Sequence, residues 1–432
     1  MHRLLFLLVL CGALLAGRLP DWRSSDGNQD PDTNVNTRYT VESIDLKGHA
    51  AKRLSERLQT ELNRLVGEKL DPSRLGRYAE MIQKELRAKV AVRVEKGTQQ
   101  GNVAVAFEID RPTRVGLDLS APKLTYYSNE GWSGFGQATI TKADNAFKFG
   151  LVSDGDELTE RFTGIRAGYE NKFLLSDRVG FRFDYSNYRA QWNSATLNAL
   201  AAGNQLGGPE GIYRTRESFA PVVTFALAKP LSLSVGVDFV RLQSQYPSAN
   251  NESANAAIST LRYSQRWGDS DQGRHAKAND EESTDLTATY AIRTAARTLD
   301  TDLVYTRHSF GSRFAWTRGA NKVIAKFTGG IINGAAPLFE RFSAGNMQTL
   351  RGWNKFDLAP KGGDRIATGT LEYRYDIFTV FYDTGAVWDR GSSPSQKHGA
   401  GVGLHFAGFQ VAVALPLRDG HMTPVFLVGT TF

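Results

Sequence analysis

The alternation of apolar and polar positions changes character part-way along the chain. Up to about residue 110 it is mixed. "YTVESIDLKG" alternates as a strand does and stops at Gly48. Leu54, Leu58, Leu62 and Leu65 then recur at helical spacing. Asp71-Pro72 supplies an N-cap and a proline for the first position of a second helix, whose apolar stripe is Leu75, Tyr78, Ala79, Ile82 and Leu86. "KVAVRVEKG" and "NVAVAFEID" follow as two strands joined by a polar turn. The order β-α-α-β-β predicts a small α+β domain over 39–112, with its core between two helices and a three-stranded sheet.

From 113 to 432 helical periodicity disappears. Segments of about ten residues alternate in polarity between turn-rich pieces. "DRVGFRFDYSNY" sets Val179, Phe181, Phe183 and Tyr185 against Arg182, Asp184 and Ser186; "GTLEYRYDIF" sets Leu371, Tyr373, Tyr375 and Ile377 against Thr370, Glu372, Arg374 and Asp376. Both signs of charge recur on the polar face, and Tyr and Phe crowd the ends of the apolar face. This is the dyad pattern of a barrel with lipid outside and a polar lumen. Lipid leaves no strand edge unpaired, so the sheet must close. The expected fold is an all-β transmembrane barrel of about 16 antiparallel strands. The first is placed near 113–120, the eleventh at 321–333, the twelfth at 366–377 and the last at 424–432, with a long sixth loop over 334–365.

Composition agrees. The 42 Gly, 24 Phe, 15 Tyr and 7 Trp suit strands, turns and aromatic belts. Beyond the N-terminus no apolar run is long enough for a transmembrane helix. Residues 1–17, "MHRLLFLLVLCGALLAG", have a basic start, an apolar run and small residues at the end, and read as a secretory signal; 18–38 is a polar linker. The net charge of +7 is not gathered into a basic run, so no nucleic-acid partner is expected. The only cysteine is Cys11, and the seven histidines have no metal-pair spacing, so neither a metal site nor a cofactor is expected. Gly131-Trp132-Ser133-Gly134 lacks the Gly-x-Ser-x-Gly spacing of a nucleophile elbow, and an enzyme is not expected.

The sixth loop holds the chemistry. Phe339, Phe342 and Trp353 would be poorly placed in water, and Gly352 allows close backbone approach. Inward carboxylates on the next two strands, Glu372 and Asp383, offer partners to Arg351, whose guanidinium keeps its charge. The run "LFERFSAGNMQTLRGW" resembles the sixth-loop motif of the BamA/TamA superfamily of outer-membrane assembly barrels. "GGDRIATGTLEYRY", "VFYDTGAVWD" and "GAGVGLHF" resemble the family's next three strands, and residues 39–110 resemble one POTRA module. The resemblance implies a lock in which Arg351, at the Arg351-Gly352-Trp353 tip, is held by Glu372 and Asp383.

It also implies insertion or translocation of unfolded or β-rich client proteins at a Gram-negative outer membrane. The POTRA-like domain would lie in the periplasm, with periplasmic accessory proteins or chaperones as further partners. A weak seam between the first and last strands would do the work, and Leu117, Leu119, Pro424, Leu427, Gly429 and Phe432 are its expected residues. Pro424 and Gly429 are expected to shorten the pairing. A two-partner-type secretion channel, a passive pore and a structural anchor are the alternatives.

Overall fold

The computed structural model describes residues 38–48, 54–86, 88–110, 114–117, 123–142, 144–176, 178–246, 250–268, 282–406, 408–418 and 422–430. The expected signal at 1–17, nearly all of the linker, Leu119 and Phe432 lie outside the described residues. The chain forms two compact units, one ending at Asp110 and the other beyond it.

The first unit contains β1 (Thr40–Lys47), α1 (Glu56–Asn63), α2 (Pro72–Leu86), β2 (Lys89–Lys96) and β3 (Asn102–Asp110). The sheet order is β1-β3-β2, with β1 parallel and β2 antiparallel to the central strand. Ser55 caps α1 by accepting from the Leu58 N–H. Asp71 caps α2 by accepting from the N–H groups of Ser73 and Arg74. The helix leucines pack with Val103, Val105, Phe107 and Ile109 in one core.

The second unit is a closed barrel. Its strands are β4 (Arg114–Leu117), β5 (Lys123–Tyr127), β6 (Gly131–Lys142), β7 (Asn145–Asp154), β8 (Arg161–Ser176), β9 (Val179–Gln191), β10 (Tyr213–Ala228), β11 (Leu231–Ser244), β12 (Asn251–Ser253), β13 (Ala256–Gly268), β14 (Glu282–Ala295), β15 (Tyr305–Arg318), β16 (Asn321–Gly334), β17 (Arg365–Tyr375), β18 (Phe378–Trp388), β19 (Lys397–Phe406), β20 (Phe409–Leu417) and β21 (Val425–Gly429). β4 and β5 both pair with β6 and count as one interrupted strand; β12 is a short lead-in to β13 on the end of β11. Sixteen antiparallel strands thus close the ring. Two-residue turns at 229–230, 319–320 and 376–377 mark one end, and the long connections 192–212 and 335–364 mark the other.

Period-two alternation sorts the side chains. Phe147, Phe149 and Leu151 on β7, Leu371, Tyr373 and Tyr375 on β17, and Val402, Leu404 and Phe406 on β19 are exposed on the outer face, which is the apolar surface a bilayer requires. Among the described residues no helix is long and apolar enough to cross a membrane.

One expectation is corrected. Among the described residues the first-strand side of the seam ladder is β5, not the segment around Leu117. Leu117 pairs with Ala138 on β6, whereas Thr125, Tyr126 and Tyr127 face Gly429, Val428 and Leu427. The reason is reach. β21 comes down from the long-loop end and stops at Gly429, while β4 lies further along, opposite Ala138–Thr141 and close to the next short turn.

Candidate functional site

The sixth loop, 335–364, runs into the barrel instead of over its rim. Phe339, Phe342, Leu350 and Trp353 pack with the inward residues Tyr213, Val240, Tyr305, Ile332 and Ile366 in one buried cluster. The two legs of the loop pair where Phe342 and Gly363 exchange backbone hydrogen bonds. At the tip, Asn346 Oδ1 accepts from the N–H groups of Gln348 and Thr349. The chain then reverses through Leu350 at φ +44° and Gly352 at φ +95°. A side chain at 352 would also meet the β20 backbone at Leu415 and Pro416, about 3.0 Å away, so glycine is required there twice over.

The reversal aims Arg351 at β17 and β18. Its Nε donates to Asp383 Oδ2 at 2.8 Å and its Nη2 to Asp383 Oδ1 at 3.0 Å, a two-pronged fork; Nη1 donates to Glu372 Oε2 at 3.0 Å. The Arg351 backbone N–H adds a fourth bond, the third to Asp383. Glu372 also accepts from Arg374 Nε at 2.5 Å, so two cations and two carboxylates balance. All three lock side chains are buried, Asp383 completely. The guanidinium carbon lies 3.6 Å from the centre of the Phe381 ring. That ring in turn covers Gly401 on the next strand, where a Cβ would come within 2.3 Å of it.

Further anchors join the loop to other walls, and they lie outside the sequence motif. Lys355, in the single helical turn Lys355–Leu358, is fully buried; its Nζ sits 2.7 Å from Glu130 Oε2 and donates to the carbonyls of Gly155 and Leu158. Glu340 faces Arg293 at 2.9 Å and Arg307 at 3.6 Å, and Arg293 also reaches Asp238 at 2.7 Å. Tyr127 of β5 donates its phenolic proton to the Trp353 carbonyl at 2.6 Å, and Trp353 Nε1 donates to the His398 carbonyl at 2.7 Å. These contacts join segments remote in sequence, and only the register of the closed barrel brings them together.

The seam is short. Its ladder runs over Thr125–Tyr127 against Leu427–Gly429, extended at each end by Ser128 N–H to the Phe426 carbonyl and Thr430 N–H to the Leu124 carbonyl. Pro424 lies just outside β21, and Gly429 is its last residue. Inside the seam Tyr127 and Leu427 are buried with Met347, Phe381, Ala412, Ala414 and Val425, so the loop tip shares a core with the closing strands.

A model of the Omp85 superfamily domain matches residues 88–417. The chain belongs to the Omp85 superfamily. The structure of BamA from Haemophilus ducreyi lacking POTRA domains 1–3 is similar, with a TM-score of 0.62 at 14% identity, over 91% of this chain and 85% of that one. CdiB from Acinetobacter baumannii gives 0.52 at 13% identity, over 91% and 74%. At such identities the likeness is one of fold. No curated protein sequence matches the chain. As an Omp85 barrel the chain has the architecture of the bacterial outer membrane, and its buried arginine sits on the sixth loop of that architecture.

Proposed function

We propose that this Omp85 barrel inserts or translocates β-rich proteins at the outer membrane, taking up a client strand at the β5–β21 seam. The observation that carries this reading is the shortness of the joint. β14 and β15 pair along their whole lengths, from Glu282–Arg318 to Ala295–Tyr305, while among the described residues the seam ladder spans Thr125–Tyr127 against Leu427–Gly429, with one further backbone hydrogen bond at each end. A freed edge in lipid has no water to satisfy its N–H and C=O groups, so another extended strand is its natural partner. In this reading the lock keeps loop six and the β17–β18 wall fixed while the seam yields. The α+β unit acts as a POTRA-like periplasmic module whose edge strand β2 offers a second place to hold an extended client. Clients, outer-membrane lipid and periplasmic accessory proteins or chaperones are the partners. A passive pore is less well supported, because loop six is packed inside the lumen.

The test is a disulfide across the seam. Tyr126 and Val428 oppose one another on its outer face. With Tyr126→Cys/Val428→Cys oxidised, client assembly stops and reduction restores it; Leu286→Cys/Phe314→Cys, opposed on the fully paired wall, leaves assembly intact. Full assembly with the oxidised seam refutes the reading.

A further inference from the structure

The inner wall behind the loop-six tip carries a charge arrangement that a sheet normally avoids. Across β14, β15, β16 and β17 one rung of the ladder reads Thr287, Arg313, Lys326, Thr370. Strand parity turns it inward: Arg313 shares a face with buried Ala315, and Lys326 with buried Ile324. Arg313 therefore stands directly opposite Lys326, and like charges so placed destabilise a ladder. Among the described residues neither has a carboxylate within ion-pair distance. The rung nearer the short turns reads Asp285, Ala315, Ile324, Glu372. Its centre is apolar and its acids are engaged, Asp285 with Arg266 at 3.6 Å and Glu372 with Arg351 and Arg374. A second like-charge rung, Lys322 opposite Arg374, lies beyond that layer and is a separate neighbourhood.

Space lies on the other side, towards loop six. The next rung there reads Thr289, Gly311, Thr328, Thr368. A cavity of about 270 Å³ rests on these two rungs, with Gln348 and Thr349 of the loop-six tip against it and no carboxylate in its lining among the described residues. A side chain at Gly311 would meet nothing within 4 Å, so the middle of the upper rung is open. The two cations sit on neighbouring strands, their Cα atoms about 5 Å apart, so one small anion is within reach of both. Hydroxyls flank them on the wall, and the Gln348 amide and the Thr349 hydroxyl approach from the tip. Donors in one plane suit a carboxylate; donors on wall and tip together suit a tetrahedral oxyanion.

We infer that this pocket binds one tetrahedral oxyanion of the phosphate class, and that the bound anion ties the loop-six tip to the β14–β17 wall. The inference concerns the lumen of the closed barrel and goes beyond the seam reading: it holds whether or not the seam opens.

The test uses the full chain in detergent micelles, titrated with inorganic phosphate in a calorimeter against chloride at equal ionic strength. Phosphate binds with a Kd of about 1 mM or tighter, sulfate competes for the site, and acetate binds about tenfold more weakly. Arg313→Gln and Lys326→Gln each lose about tenfold in affinity. Thr328→Val keeps the shape, removes one hydroxyl and loses about threefold. Lys322→Gln, behind the apolar layer, changes affinity by less than about twofold. Without phosphate Arg313→Gln/Lys326→Gln resists urea at least as well as the parent, because a repulsion has been removed, so its lost binding is not lost folding. Phosphate also slows deuterium exchange at the Gln348 and Thr349 amides of the parent but not of the double variant. Phosphatidic acid added to the micelle in place of phosphate leaves that exchange unchanged, because the barrel wall keeps its headgroup out of the pocket. Heat no greater than that of chloride would overturn the proposal, as would equal losses in Lys322→Gln and Arg313→Gln, which would mean a diffuse field. Binding that leaves the tip amides as they were, or slowing by phosphatidic acid, would overturn it too.

Discussion

At the β17–β18 wall, loop six is held by one buried guanidinium that donates three hydrogen bonds to two carboxylates; at the β5–β21 seam, the barrel is held by a short ladder over a small apolar core. The two joints touch through Tyr127 and Met347, yet they respond differently to being pulled apart. Parting the first leaves charges buried and unpaired, which is strongly unfavourable. Parting the second exposes N–H and C=O groups that any other strand can satisfy equally well. In the proposed function one joint exchanges partners while the other stays rigid, and this division serves it.

The largest effect belongs to the lock. Arg351→Ala strands Asp383 and leaves Glu372 with Arg374 alone, and is expected to cost about 3–5 kcal/mol in urea unfolding followed by tryptophan fluorescence. Arg351→Lys keeps the charge but loses the fork, and should fall between the two. If Arg351→Ala unfolds like the parent, the comparison fails at its stronger end.

The next effect probes the joint between loop six and the first hairpin. Burial pushes the Glu130 carboxyl up to about 8, although Lys355 beside it pulls the other way. Its ordinary value is 4.5, so between about 4.5 and about 8 the folded barrel binds a proton that the unfolded chain releases. Stability therefore falls as pH rises through that window. Glu130→Gln should flatten this slope by about 1–2 kcal/mol between the two ends, read from urea midpoints. A slope unchanged by the substitution would place its origin elsewhere.

These residues also show what a chain reveals by itself. Glu372 and Asp383 can be picked out because strand parity is local: each lies on the polar face of its own segment, just after a loop with an arginine at its tip. The seam is different. Alternation is equally good around Leu117 and around Tyr126, and only the stagger of a closed barrel decides which piece meets β21. Lys355 on a single helical turn looks like any surface lysine until Glu130 and the carbonyls of 155–158 are folded around it. The like-charge rungs of β15–β17 are likewise a property of register, invisible in any one strand.

The smallest expected effect is the one that asks whether the two joints communicate. Tyr127→Phe removes only the phenolic proton donated to the Trp353 carbonyl, and should cost about 1 kcal/mol globally. Its local consequence is more telling. The Ser128 amide closes the upper end of the seam on the Phe426 carbonyl, one residue beyond the missing bond. If loop six steadies β5 through Tyr127, exchange of the Ser128 and Val428 amides for deuterium quickens in the variant while the β14–β15 ladder stays protected. If exchange quickens only at the loop tip, the lock and the seam are independent, and the closing strand is held by its ladder and apolar core alone.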